Sequence, residues 1–167
     1  MDLDRDLIEA TQREFQRRGA RSHRQLAVSL EVERINRLVQ LAAQPALAAE
    51  GLTFAGWQAL TALSFHPAKQ MATAKLALRV GAHPTTITRT VDRLERSKLV
   101  RRTQGSDRRV TVVALLPAGE AAQEAVATSF DSGEFGLGGV PAESLDELAA
   151  MLRQVRLLVE GRMDASD

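Results

Sequence analysis

Apolar residues recur every three or four positions along most of this chain, a spacing that predicts a succession of helices. Residues 2–18 form the first, with Leu3, Leu7, Thr11 and Phe15 on one face. Its aspartates stand at the start and its arginines at the end, as the helix dipole favours, and Gly19 follows as a stop. Residues 20–24 read as a polar connector. Helical spacing returns over 29–50 through Leu30, Ile35, Leu38, Leu41 and Ala42, and Pro45 is expected to kink or end that helix. A third helix covers 53–65, capped by Thr53, with Phe54, Trp57, Leu60, Thr61 and Ser64 on a shared face. His66 before Pro67 stops it, because a residue preceding proline avoids the helical region.

The pattern then tightens. Residues 73–80 make a short helix with Leu76 and Val80 inward, and Gly81 supplies a left-handed turn. Pro84 suits the first position of the next helix, over 83–97. Ile87, Val91 and Leu94 line one side of it. Thr85, Thr86, Thr88, Arg89, Asp92 and Arg93 are left pointing outward. Two strands follow, 99–103 and 109–115, around the turn chemistry of 104–107. A helix over 117–130, a break over 132–140 with four glycines, and a last helix over 141–162 with Pro141 at its first position complete the chain. The result is a mainly α fold with a small β-wing (α+β): a winged helix-turn-helix flanked by N- and C-terminal helices. Three regions share one compact domain: 1–50, the winged helix-turn-helix at 51–116, and 117–167. The stripe Leu145, Leu148, Met151, Leu152, Val155, Leu158 and Val159 is long for one helix in a small domain. With the stripes of the first two helices, it points to burial against a second copy of the chain.

Charge sharpens this picture. The formal net charge is only +1, yet residues 66–112 hold 11 basic and 3 acidic side chains, and residues 117–167 hold 3 basic and 10 acidic ones. A polyanion would be drawn to the middle and repelled by the end. The middle also carries the chemistry of base reading: threonine reaches phosphates or a thymine methyl, and arginine forks onto guanine. Thr85, Thr86, Thr88, Arg89 and Arg93 are therefore the candidate contacts on the helix. Asp107, Arg108 and Arg109 are the candidates at the wing tip, with the Asp107 carboxylate placed to hold the Arg109 guanidinium over a narrow minor groove.

Other classes fit poorly. There is no cysteine, so disulfides, thiolate metal sites and thiol redox sensing are excluded. No run approaches a membrane span, and the charged residues 1–19 are no signal peptide, which points to the cytoplasm. His23, His66 and His83 lack metal-ligand spacing, the glycines of 133–139 follow a helix rather than a strand, and no nucleophile has a neighbouring base. Neither enzymatic activity nor a cofactor is expected. The alternative to a DNA reader is a winged helix that docks a protein partner without specific DNA binding. Salt-reversible retention on duplex DNA separates the two.

The run from His83 through Pro84-Thr85-Thr86-Ile87-Thr88-Arg89 to Arg102 closely resembles the recognition helix of the MarR (multiple antibiotic resistance regulator) family. Asp107-Arg108-Arg109, followed by a strand and Pro117-Ala118-Gly119, resembles its wing signature, and the match extends over about residues 30–158. The resemblance implies a homodimer held by its terminal helices. It implies recognition helices in successive major grooves of double-stranded DNA and wing arginines in the minor grooves. It also implies repression relieved by a small aromatic or anionic effector, for which Phe15, His23, Trp57, Gln58 and His66 are the pocket candidates. His83 replaces a frequent serine cap, Gly56 an acidic capping-box residue and Leu116 a frequent threonine cap. Phe15 and Gln58 stand where a urate-responsive subgroup has tryptophan and aspartate, which speaks against urate.

Overall fold

The computed structural model describes residues 3–105, 107 and 109–164. The chain forms two compact units that divide between Gly136 and Leu137. The first runs through α1 (Leu3–Arg17), α2 (His23–Ala49), α3 (Phe54–Ser64), β1 (Gln70–Ala72), α4 (Thr73–Val80), α5 (Pro84–Arg96), β2 (Val100–Gln104), β3 (Thr111–Leu115), α6 (Pro117–Gly133) and a 3-10 turn at Glu134–Gly136. The second holds α7 (Ala142–Asp164). The fold is thus mainly helical with a small antiparallel sheet.

Several elements differ from the sequence reading. α2 begins at His23, not at residue 29, because the segment expected to be a connector is a turn joined to α1: the Ala20 N–H donates to the Phe15 carbonyl at 3.0 Å, and Leu26 N–H to Ser22 at 3.0 Å. α2 also runs through Pro45 to Ala49. Proline costs the helix one backbone bond, but Ala43 and Leu47 on either side are each only 1% exposed, and that packing keeps the last turns helical. The third difference is β1, three residues that pair with β3 to give the sheet order β1-β3-β2. α7 starts one residue after the expected Pro141, whose carbonyl accepts from Leu145 N–H.

The core of the first unit gathers residues from α2 through α6 and the sheet. Leu47 of α2, Leu60 and Leu63 of α3, Leu76 of α4, Ile87 and Val91 of α5, Val100 and Val113 of the sheet and Val126 of α6 are all buried. Thr53 caps α3 by accepting the Gly56 N–H at 3.1 Å. Gly119 allows the tightest approach: a Cβ there would lie 2.1 Å from the Leu99 carbonyl oxygen. That same oxygen accepts the Leu116 N–H at 3.0 Å, so the start of α6 is fastened to the base of the wing. Lys69, ahead of β1, makes an ion pair with Glu120 of α6.

The apolar stripes of the long helices are another matter. In α2, Ile35, Leu38 and Leu41 are exposed, and in α7 so are Leu148, Met151, Leu152, Val155, Leu158 and Val159. Among the described residues no helix is long and apolar enough to cross a membrane.

Candidate nucleic-acid interface

α4 and α5 form the helix-turn-helix. Gly81 ends α4 with φ 65°, a left-handed conformation that costs glycine little. His83 then caps α5: its Nδ1 accepts the Thr85 N–H at 3.3 Å, and Pro84 follows at the first helical position. The ring nitrogen thus fills the serine's place in satisfying a free amide. Ile87, Val91 and Leu94 anchor α5 in the core. Their burial leaves Thr85, Thr86, Thr88, Arg89 and Arg93 exposed along the opposite side. The Thr88 hydroxyl donates to the Pro84 carbonyl at 2.9 Å and Thr90 to Thr86 at 2.9 Å, so these hydroxyls keep only their acceptor lone pairs for a ligand.

The wing is the β2–β3 hairpin, in register from Val100↔Leu115 to Gln104↔Thr111. Its tip closes through Gly105 N–H to the Val110 carbonyl at 2.8 Å and Val110 N–H to the Asp107 carbonyl at 2.9 Å. Here the sequence reading needs correction. The Asp107 carboxylate does not hold the Arg109 guanidinium; its Oδ1 accepts the Arg109 backbone N–H at 2.9 Å. That turn removes Arg109 from the ladder, so β3 starts at Thr111 and the Arg109 side chain stands exposed at the tip without an ion-pair partner among the described residues. Arg108 lies outside the described residues.

Asp92 is not a free outward group either. Arg102 of β2 pairs with both Asp92 and Glu95 of α5, reaching Glu95 Oε2 at 3.1 Å. Its Nη2 donates to the Thr88 carbonyl at 3.2 Å, and its backbone N–H donates to Glu95 Oε1 at 2.8 Å. An open groove of about 530 Å³ lies beside this cluster, lined by Thr88, Asp92, Arg102, Arg109 and Thr111 among others.

The five pocket candidates do not converge on one cavity among the described residues. Phe15 is exposed near the end of α1, and His23 opens α2 with Nδ1 3.0 Å from the Ala20 carbonyl. His66 Nδ1 accepts the Ala68 N–H at 3.2 Å, and Gln58 is half-buried. Of these, Trp57 lines a cleft of about 330 Å³ with Ala127, Phe130, Asp131 and Phe135, which sequence reasoning missed. The rings form one cluster: Trp57 and Phe130 meet edge to face at 4.9 Å between centroids, and Phe130 and Phe135 lie 4.1 Å apart. Trp57 Nε1 is buried without a hydrogen-bond partner among the described residues.

The MarR family model matches residues 52–111, the span from just before α3 to the start of β3. Sco5413 of Streptomyces coelicolor, a MarR family transcriptional regulator, is 31% identical, with a TM-score of 0.76 over 82% of this chain and 96% of its own. The chain belongs to the MarR family. AbsC of Streptomyces coelicolor, also a MarR family transcriptional regulator, superposes with a TM-score of 0.70 at 26% identity, over 82% of this chain and 94% of its own. Sco3205 of the same organism, solved in complex with DNA, shares the fold at 20% identity, with a TM-score of 0.69 over 77% and 83% of the two chains. No curated protein sequence matches. This MarR family chain is therefore a DNA-binding transcriptional regulator.

Proposed function

We propose that this MarR regulator is a homodimeric repressor that binds a pseudo-palindromic operator and releases it when a small aromatic effector binds. The observation that carries the reading is the exposed Thr85–Thr86–Thr88–Arg89–Arg93 face of α5, set inside the basic segment and flanked by the exposed Arg109 tip. The α5 face enters the major groove, where Arg89 reads a base. Arg93 contacts phosphate, and Arg109, with Arg108 beside it in sequence, enters the minor groove. The exposed apolar stripes of α2 and α7 support the homodimer, since large contiguous apolar faces are seldom left to solvent. For the effector, the Trp57–Phe130–Phe135 cleft offers three aromatic rings, and Asp131 at its edge disfavours an anion. Of the two effector chemistries the resemblance implies, the cleft favours the aromatic one without negative charge.

The test is a binding selection from genomic fragments, followed by gel shifts. A two-fold symmetric site is expected, with half-sites about 34–36 Å apart. Arg89→Ala is expected to weaken binding by about 1–3 kcal/mol and relax base choice at one position per half-site. If no duplex is preferred over random sequence, the reading fails. Repeating the selection with a panel of neutral and anionic aromatic compounds tests the effector assignment.

A further inference from the structure

Arg102 is turned toward α5 and is half-buried. Its strand partner in β3 is Val113, which is fully buried, and Val100 two residues before it is buried too. Alternation along β2 therefore directs Arg102 inward, with Val100 and Val113, while Arg101 and Thr103 face solvent. An inward guanidinium needs acceptors, and α5 supplies them over two turns: the Thr88 carbonyl, Asp92 and Glu95. These positions follow i, i+4, i+7, so one side chain spans a single stripe of the recognition helix. Glu95 also receives the Arg102 backbone N–H, which ties strand and side chain to the same carboxylate.

We infer that Arg102 is a positioning residue that sets the wing against the recognition helix, so that minor-groove reading by the tip and major-groove reading by α5 share one register. It touches no DNA in this role. β1 supports β3 only as far as Val112, beyond which the wing is two-stranded, and a two-stranded hairpin is marginal by itself; no other side-chain hydrogen bond or ion pair between the described side chains of β2 or β3 and α5 is seen. A lysine would keep the charge but not the fork, because an ammonium is a point donor and the guanidinium is a rigid planar one.

The inference rests on the DNA-contact assignment above, so its test has one arm that needs no DNA. Arg102→Met, Arg102→Lys and Asp92→Asn are compared with wild type by amide hydrogen exchange on the free protein. Faster exchange confined to β2 and β3 is expected in Arg102→Met, with α3 unchanged. The second arm uses duplexes that differ either at a major-groove base under α5 or only in the A·T content of the flank beneath the wing. If loosening leaves the hairpin docked about a tenth of the time, apparent affinity falls about tenfold. Discrimination between the flanks should vanish while discrimination at the major-groove base survives, a split that mere loss of stability would not produce. Arg102→Lys should behave like Arg102→Met, and Asp92→Asn should lie between them and wild type. Unchanged exchange in β2 and β3, retained flank discrimination in Arg102→Met, or full wild-type behaviour in Arg102→Lys would overturn the inference. Absence of any preferred duplex for wild type would instead overturn the proposed function, and the exchange arm would still decide whether Arg102 holds the wing.

Discussion

Replacing Gly119 by alanine tests how the wing is mounted. A Cβ at Gly119 would sit 2.1 Å from the Leu99 carbonyl oxygen, whereas ordinary contact starts at 3.4 Å, so the two backbones must part by about 1.3 Å. Backbone cannot yield as the end of a flexible side chain can. Forcing such an overlap costs about 1–3 kcal/mol. The shift also strains the Leu116 N–H bond to the same oxygen, now 3.0 Å, which adds about 1 kcal/mol. Against this, alanine in a helix gains about 0.5–1 kcal/mol over glycine. The net is a loss of about 1–3 kcal/mol, or a fall in melting temperature of about 3–10 °C for a domain of this size. Gly133, near the end of the same helix, is the control, because a Cβ there meets nothing within 4 Å. Gly133→Ala should leave stability unchanged or raise it by up to about 1 kcal/mol. In circular dichroism melts only Gly119→Ala should melt below wild type. Equal melting of Gly119→Ala and wild type would refute the close-approach argument.

Three further outcomes follow from the geometry. Thr53→Ala removes the hydroxyl that accepts the Gly56 N–H and should cost about 1 kcal/mol in a chemical denaturation series. The hydrogen bond and charge of Arg18 hold the Glu14 carboxyl below its ordinary value. Its contribution is therefore present at neutral pH and lost as pH falls through that lowered value, and an NMR titration of Glu14 should move up toward the ordinary carboxylate range in Arg18→Ala. Leu158→Glu puts a charge on an exposed apolar face of α7. It should convert a particle of about twice 18.2 kDa into one of 18.2 kDa by light scattering, and a monomeric wild type would sink the dimer assignment.

α5 was legible in the sequence because its own residues carry both halves of the pattern: Ile87, Val91 and Leu94 recur at helical spacing, and the polar set fills the rest. The Thr53 cap and the Gly81 turn were legible for the same reason, each being a local contract between one side chain and its neighbouring backbone. β1 was not, since three residues carry no period and their pairing is supplied by β3, some forty positions later. The clamp was hidden by its range: Asp92 and Glu95 precede Arg102 by ten and seven residues, and only the strand register turns Arg102 toward them. Phe130 and Phe135 read as the end of a helix and part of a glycine-rich break. Phe135 reaches the aromatic cluster from a left-handed φ of 54°, which composition alone does not reveal.

The clamp changes how the basic segment should be counted. Eleven cations over residues 66–112 suggest a very steep salt dependence, yet they are not equal. Arg102 is committed to two carboxylates and Lys69 to Glu120, so neither releases counterions when DNA binds. If Arg89 and Arg109 in the grooves and Arg93 on the backbone each displace the counterion of about one phosphate in each of two subunits, about six phosphates are neutralised per operator, giving a slope of log affinity against log salt near −5. Affinity should then fall about a thousandfold between roughly 50 and 200 mM salt. A slope near −10 would mean that cations on other surfaces also meet the duplex and that the interface is wider than α5 and the wing tip. A slope flatter than about −2 would mean that the paired arginine faces are not both engaged. The measurement separates the charges that bind from those that hold the reader in shape, a distinction that net charge cannot make.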